Sequence, residues 1–126
     1  MTVVVDTSVL IDHLRGHDEA RATLQAALDR GDRLVASLVT KVEVLAGMRA
    51  AEESATRELL SALDWIAVDD AIAERAGHLA NRYLRSHPGV DPVDYIIAAT
   101  AEELEAQLWT RNLKHFPMFP ELASPY

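Results

Sequence analysis

Short unbroken apolar runs alternate along this chain with longer stretches in which apolar residues recur every three or four positions. The first run, Val3-Val4-Val5, is β-branched throughout and predicts a short strand buried on both faces. Asp6 ends it, Thr7 and Ser8 are good helix N-caps, and Val9-Leu10-Ile11 begins a new element that Gly16 stops. From Glu19 to Arg30, the positions Ala20, Leu24, Ala27 and Leu28 keep helical spacing. Gly31-Asp32 punctuates, and Arg33-Leu34-Val35-Ala36 predicts a second strand. Ser37 is placed to cap a helix reaching about Arg49. Another helix runs from about Glu52 to Leu63 with Leu59, Leu60 and Leu63 inward, followed by a third strand, Trp65-Ile66-Ala67-Val68. Asp69 or Asp70 caps a long helix to about Ser86, whose inward stripe is Ile72, Ala76, Leu79, Ala80, Tyr83 and Leu84. After the turn His87-Pro88-Gly89, Asp91 opens a helix with Pro92 in its first position, where the missing N–H costs nothing. Gln107-Leu108-Trp109-Thr110 is a fourth strand, and the tail containing Pro117, Pro120 and Pro125 is largely irregular.

This order of elements predicts an α/β fold, a parallel sheet sandwiched between helices. Asp6 then sits at the carboxyl end of a buried strand. Open α/β sheets bind ligands at that edge, where the strand holds a side chain rigidly and the next helix start offers free backbone N–H groups.

At 126 residues the chain is expected to form a single domain over 1–126, burying roughly two-thirds of its unfolded surface. The absence of Cys excludes disulfides, thiolate metal sites and Cys nucleophiles. Apolar runs fall well short of a membrane span, and no basic segment precedes an apolar one at the N-terminus, so a reducing, cytoplasmic setting is expected. Charge changes the picture more. Twelve basic against 20 acidic residues give −8, which argues against a nucleic-acid partner, because phosphate binding is driven by Lys and Arg. The objection weakens if some carboxylates hold divalent cations, which invert the local field. An acidic surface also suits a basic protein partner.

Three carboxylates stand where chemistry could use them. Asp6 could be a helix cap, but Thr7 and Ser8 could cap without placing a charge directly after three Val residues. Glu43 shares a helix face with Val39, Ala46 and Gly47. An inward carboxylate there costs several kcal/mol unless paired or bound to a cation. A capping box at Thr40-Lys41-Val42-Glu43 is the alternative; it needs the helix to begin at Thr40, and Ser37 already caps it earlier. Asp94 lies in the first turn of a helix that is apolar nearly all round. Asp91-Pro92-Val93-Asp94 is close to a capping box, so Asp91 is expected to cap while Asp94 faces a cleft.

Asp6-Thr7-Ser8-Val9-Leu10-Ile11, Glu43 after the second strand, Asp94-Tyr95-Ile96-Ile97-Ala98-Ala99-Thr100-Ala101, then Thr110-Arg111-Asn112 and His115-Phe116 together resemble the PIN-domain family, and more narrowly its small VapC ribonuclease toxins. Each motif alone is weak, but the set covers essentially the whole chain in order. The resemblance implies a three-layer α/β/α sandwich with a central parallel sheet of four to five strands. It also implies acids that hold Mg²⁺ or Mn²⁺ and hydrolyse RNA phosphodiesters. By position, the family's acids fall on Asp6, Glu43 and Asp94, with Thr7 or Ser8 as hydroxyl supports. Thr110 and Arg111 fall beside the cleft, where Arg111 and Lys114 could hold RNA phosphate. A fourth acidic position falls on Asn112, whose amide brings no charge, which puts a full second metal site in doubt. A cognate antitoxin covering the cleft and a homodimer are further implications; the helices bearing Leu45, Leu59, Leu60 and Leu63 could expose apolar area for self-association, and core packing explains the same residues equally.

The other residues carry less. The five His show no paired metal-ligand spacing, and His115 beside Phe116 is expected to pack. Trp65 and Trp109 are expected in the core rather than as base-stacking platforms. Two rival functions stay open: a PIN-like binding module without turnover, for which Asn112 is the hint, and a phosphoryl-accepting domain using Asp6. The second wants another acid next to Asp6 and a Lys at a late strand end, and neither is present.

Overall fold

Val3 and Val5 pack against one layer of helices and Val4 against the other, so the opening strand is buried on both faces as its composition requires. That strand, β1 (Thr2–Val5), lies inside a parallel sheet with β2 (Arg33–Ser37), β3 (Asp64–Ile66) and β4 (Gln107–Trp109), in the order β3-β2-β1-β4. The fold is a computed structural model describing residues 1–126. Val3 pairs with Leu34 on one side and with Gln107 on the other. The sheet has four strands, within the expected four to five.

Helices α1 (Thr7–Leu14), α2 (Asp18–Asp29), α3 (Leu38–Ala46) and α4 (Glu53–Ser61) supply one layer. Its core joins Val3, Val5, Val9, Leu10, Leu24, Leu34, Val44 and Leu59. Helices α5 (Asp70–Tyr83) and α6 (Pro92–Glu103) form the other, where Val4, Val35, Ile97, Ala98, Leu108 and Phe116 pack together. The chain therefore steps outward from β1 to β2 and β3, then returns across the sheet to place β4 on the far side of β1. The reversal opens a crevice at the carboxyl ends of β1 and β4.

Several elements depart from their expected bounds for identifiable reasons. α3 ends at Ala46 instead of reaching Arg49, because Gly47 is the C-cap and glycine is a poor helix continuer; a separate 3-10 turn covers Ala50–Glu52. α4 starts after that turn and stops before Leu63. β3 ends at Ile66, where pairing with Ser37 of β2 runs out. α5 ends at Tyr83, which leaves Leu84 outside the helix and 52% exposed rather than inward. Leu59, Leu60 and Leu63 are buried and Leu45 packs partly buried against the same core, so they offer no self-association surface. Trp65 and Trp109 pack against that core, Trp65 donating its indole N–H to the Leu60 carbonyl (3.0 Å). Ser37 caps α3 as expected, its Oγ accepting from Val39 N at 3.3 Å. No helix is long and apolar enough to cross a membrane.

Two core side chains, Thr56 and Tyr95, bury a hydroxyl that finds no partner, and Thr56 is the simpler to replace. Thr56 of α4 is fully buried and its hydroxyl finds no partner, whereas the equally enclosed Thr100 donates to the Ile96 carbonyl at 2.8 Å. Thr56→Val keeps the shape and removes the unpaired hydroxyl. It should stabilise the protein by about 1 kcal/mol, read as a higher denaturation midpoint in urea at unchanged slope; a lower midpoint would show that the hydroxyl is satisfied in solution.

Candidate active site

The crevice at the β1 and β4 ends is a polar cleft of about 400 Å³ lined by Asp6, Thr7, Ser8, Asp12, Glu43, Asp91, Asp94, Arg111, Asn112 and His115, with Ile11 its one apolar wall. A larger cavity of about 710 Å³ lies between β4 and residues 118–125, but its only acid is Glu121 and it has no partner charge for chemistry.

Asp6 occupies the N-cap position of α1 but its carboxylate makes no capping hydrogen bond. Instead Oδ2 accepts the hydroxyls of Ser8 and Thr110, each at 2.7 Å. Those hydroxyls in turn accept backbone N–H groups, Ser8 from Arg111 (3.0 Å) and Thr110 from Asn112 (3.0 Å). A carboxylate only 4% exposed is thus held by two oriented dipoles, and it orders the chain leaving β4. Oδ1 makes no protein hydrogen bond and is not sealed from solvent, so it is the oxygen available to a cation.

Asp94 combines the two roles that the sequence weighed separately. Asp91 and Asp94 form a reciprocal capping box, Asp94 N donating to Asp91 Oδ1 and Asp91 N to Asp94 Oδ2, both at 3.2 Å. The same Oδ2 lies 3.4 Å from His115 Nδ1, an ion pair whenever the imidazole is protonated. Burial pushes the Asp94 carboxyl up to about 6; the backbone N–H of Asp91 opposes this, the Asp91 charge adds to it, His115 opposes it and the Asp6 charge adds further. Its Oδ1, like that of Asp6, has no protein partner and is not sealed off.

Glu43 requires a correction. It is exposed, not inward, and keeps its hydration, so burial does not oblige it to find a cation. The buried face of α3 is Thr40 and Val44; Glu43 lies about a quarter of a turn away, at the rim of the cleft. Thr7 nevertheless fixes it, donating to Oε1 at 2.6 Å. The Thr40 capping box is absent because α3 begins at Leu38, as Ser37 foretold.

The structure therefore gathers Asp6, Thr7, Ser8, Glu43, Asp94, Arg111 and Asn112 in one cleft, with Thr110 behind Asp6. Lys114 is exposed and does not line it. His115, expected to pack, is in the cleft beside Asp94: a 3-10 turn over Leu113–His115 curls it back, and no local periodicity signals such a turn. Asp12 was also missed, although its position four residues after Ser8 on α1 was a readable signal.

No three carboxylates or imidazoles stand close enough to form a ready-made metal cage. The donor chemistry nonetheless fits Mg²⁺ or Mn²⁺. Such ions take hard oxygen ligands and are commonly held by one or two carboxylates, with waters and substrate phosphate filling the remaining positions. Asp6 and Asp94 each present one free carboxylate oxygen to do so.

The PIN domain family model matches residues 3–119. Over 123 residues the chain is 45% identical to Ribonuclease VapC19 of Mycobacterium tuberculosis, covering 98% of each protein. Over 124 residues it is 43% identical to Ribonuclease VapC10 of the same organism, covering 98% of this chain and 92% of the relative. Among solved structures it is similar to a toxin–antitoxin complex from Klebsiella pneumoniae, with a TM-score of 0.81 and 33% identity over 98% of each chain. The fold also matches VapBC-1 from nontypeable Haemophilus influenzae, with a TM-score of 0.77 and 23% identity over 98% of this chain and 96% of that one. With its sheet, its acidic crevice and its kinship agreeing over nearly the whole length, the chain belongs to the PIN-domain family and, within it, to the VapC group.

Proposed function

We propose that this chain is a metal-dependent endoribonuclease, the toxin of a toxin–antitoxin pair, folded as one domain over residues 1–126. The observation that carries the reading is the charge of the cleft. Five carboxylates face one guanidinium and one imidazole. An RNA phosphate meets net repulsion there unless a divalent cation stands between it and the acids. RNA as substrate is supported by the ribonuclease names of relatives that match this chain from end to end.

In this reading Asp6 and Asp94 would hold Mg²⁺ or Mn²⁺ through their free oxygens, and Glu43, beside them at the rim of the cleft, would support the ion or orient the attacking water. Bound there, the cation supplies charge neutralisation at the scissile phosphate and a water acidified toward neutral pH. Ser8 and Thr110 keep Asp6 in place, Thr7 keeps Glu43 in place, and Arg111 with Asn112 receives the phosphate. Asn112 brings no charge, which favours a single ion.

The antitoxin partner is supported by the toxin–antitoxin complex to which the chain is similar, and the acidic cleft suits a basic side chain from it. Pairing with a second copy is supported by an apolar groove along α5 and α6, where Val68 and Leu84 are exposed. A cytoplasmic setting is supported by the absence of Cys. Asn112 also favours a second reading, a PIN-fold module that binds RNA or a protein without cutting.

Cleavage of a mixed pool of structured RNAs decides between the two. Purified, antitoxin-free protein should cut with Mg²⁺ or Mn²⁺ and stop with chelator, and Asp6→Asn or Asp94→Asn should lose at least about 100-fold in rate. Normal cutting by Asp94→Asn would refute its assignment, and folded wild type that binds RNA but never cuts it would establish the binding module.

Two pH effects follow from Asp94. Because a ligand must lose its proton, Mn²⁺ affinity measured by calorimetry should rise as pH climbs through about 6; equal affinity at pH 5 and 7.5 would remove Asp94 from the ligand set. The folded carboxyl binds its proton more tightly than the unfolded one, so stability falls as pH rises from about 4 to about 6, and the penalty is complete above that window. Asp94→Asn should accordingly raise the melting temperature of the metal-free protein at pH 7.5, and the gain should shrink toward pH 5.

A further inference from the structure

Arg111 is the one Lys or Arg that lines the cleft, and its side chain is held from two directions by residues with no place in the scheme above. Its guanidinium carbon lies 4.5 Å from the ring centre of Tyr126, a cation–π distance. Its Nη1 lies 3.8 Å from Asp12 Oδ2, close enough to attract but beyond hydrogen-bond range. Tyr126 closes the triangle by donating its hydroxyl to that same Asp12 oxygen at 2.7 Å. The backbone beneath is fixed as well, because Arg111 N donates to the Ser8 hydroxyl that holds Asp6. Tyr126 is itself anchored, its ring 5.2 Å from that of His17 and packed against the core shared by Val9, Leu10 and Leu24.

The chemistry of this triangle suits a phosphate clamp. A neutral phenol restrains a guanidinium without neutralising it, and burial together with the Asp12 hydrogen bond keeps the Tyr126 hydroxyl protonated. Asp12 could compete for Arg111, but its oxygen already accepts the phenol and stays satisfied when the guanidinium turns to a substrate. Arg is a residue of choice for phosphate because its planar fork presents several N–H groups at once, provided the fork is aimed beforehand.

We propose that Tyr126, acting with Asp12, is a positioning residue that aims Arg111 at an RNA phosphate, and so sets substrate affinity rather than the rate of the chemical step. The proposal rests on the ribonuclease reading for the identity of the phosphate.

The test uses the full chain carrying Tyr126→Phe, which keeps the ring and removes only the hydroxyl, and Tyr126→Leu, which removes the ring. Each is made alone and with Arg111→Ala, and melting curves check folding. KM and kcat are measured for RNA cleavage, and the Kd of a fluorescently labelled single-stranded RNA is measured by anisotropy with Ca²⁺ in place of Mg²⁺, which keeps a divalent cation in the acidic cleft while turnover is suppressed. Losing one hydrogen bond should raise KM and Kd about three- to tenfold, with kcat within about twofold and Tyr126→Leu worse than Tyr126→Phe. In the Arg111→Ala background both effects should vanish, which loss of packing alone would not produce. If wild type binds RNA and Tyr126→Phe binds it equally, or if the losses persist without Arg111, the clamp is refuted and the ribonuclease reading stands. Wild type that neither binds nor cuts RNA refutes both.

Discussion

A buried carboxylate at the end of a central strand is tolerable only if something replaces the water it loses, and at Asp6 two hydroxyls do so. Ser8 comes from the helix that follows β1 and Thr110 from the end of β4, so the interaction ties together segments that are distant in the chain. Each hydroxyl also receives a backbone N–H from the residues after β4. Donors and acceptors in such a chain polarise one another. Asp6 is thereby a structural hub whose second oxygen remains free, and the same side chain can organise the cleft wall and still offer a ligand.

The cleft around it is electrostatically unfinished. Asp91 and Asp94 are brought together by the capping box that starts α6, and burial of Asp94 beside like charges raises its proton affinity. A fold selected for stability alone would not place five carboxylates around one guanidinium. Local conflict of this kind concentrates where function demands it.

Residues whose environment is set by their own element were the legible ones. Three consecutive Val declared a strand buried on both faces, Ser37 declared the start of α3, and Asp91-Pro92 declared the start of α6. Asp6 and Asp94 were readable for the same reason, since each sits at a fixed offset from such a boundary. Glu43 was misjudged because helical spacing says which residues share a face, not how far that face overhangs the edge of a sheet. His115 and Tyr126 were out of reach: what they touch depends on how an irregular segment returns to the cleft, and no periodicity records that.

The position of β1 between β2 and β4 has a consequence for synthesis. The bond from Thr110 to Asp6 spans 104 residues of sequence, and Asp6 N is bonded to the Trp109 carbonyl as well. Until β4 has left the ribosome, neither contact exists, and the crevice has only one wall. Domains grow from the N-terminus at about 5–20 residues per second, and pairings this distant in sequence are slow to form. A nascent chain therefore cannot close its acidic crevice from the N-terminal elements alone, and the two walls meet only once residues 107–110 have been made and have paired with β1.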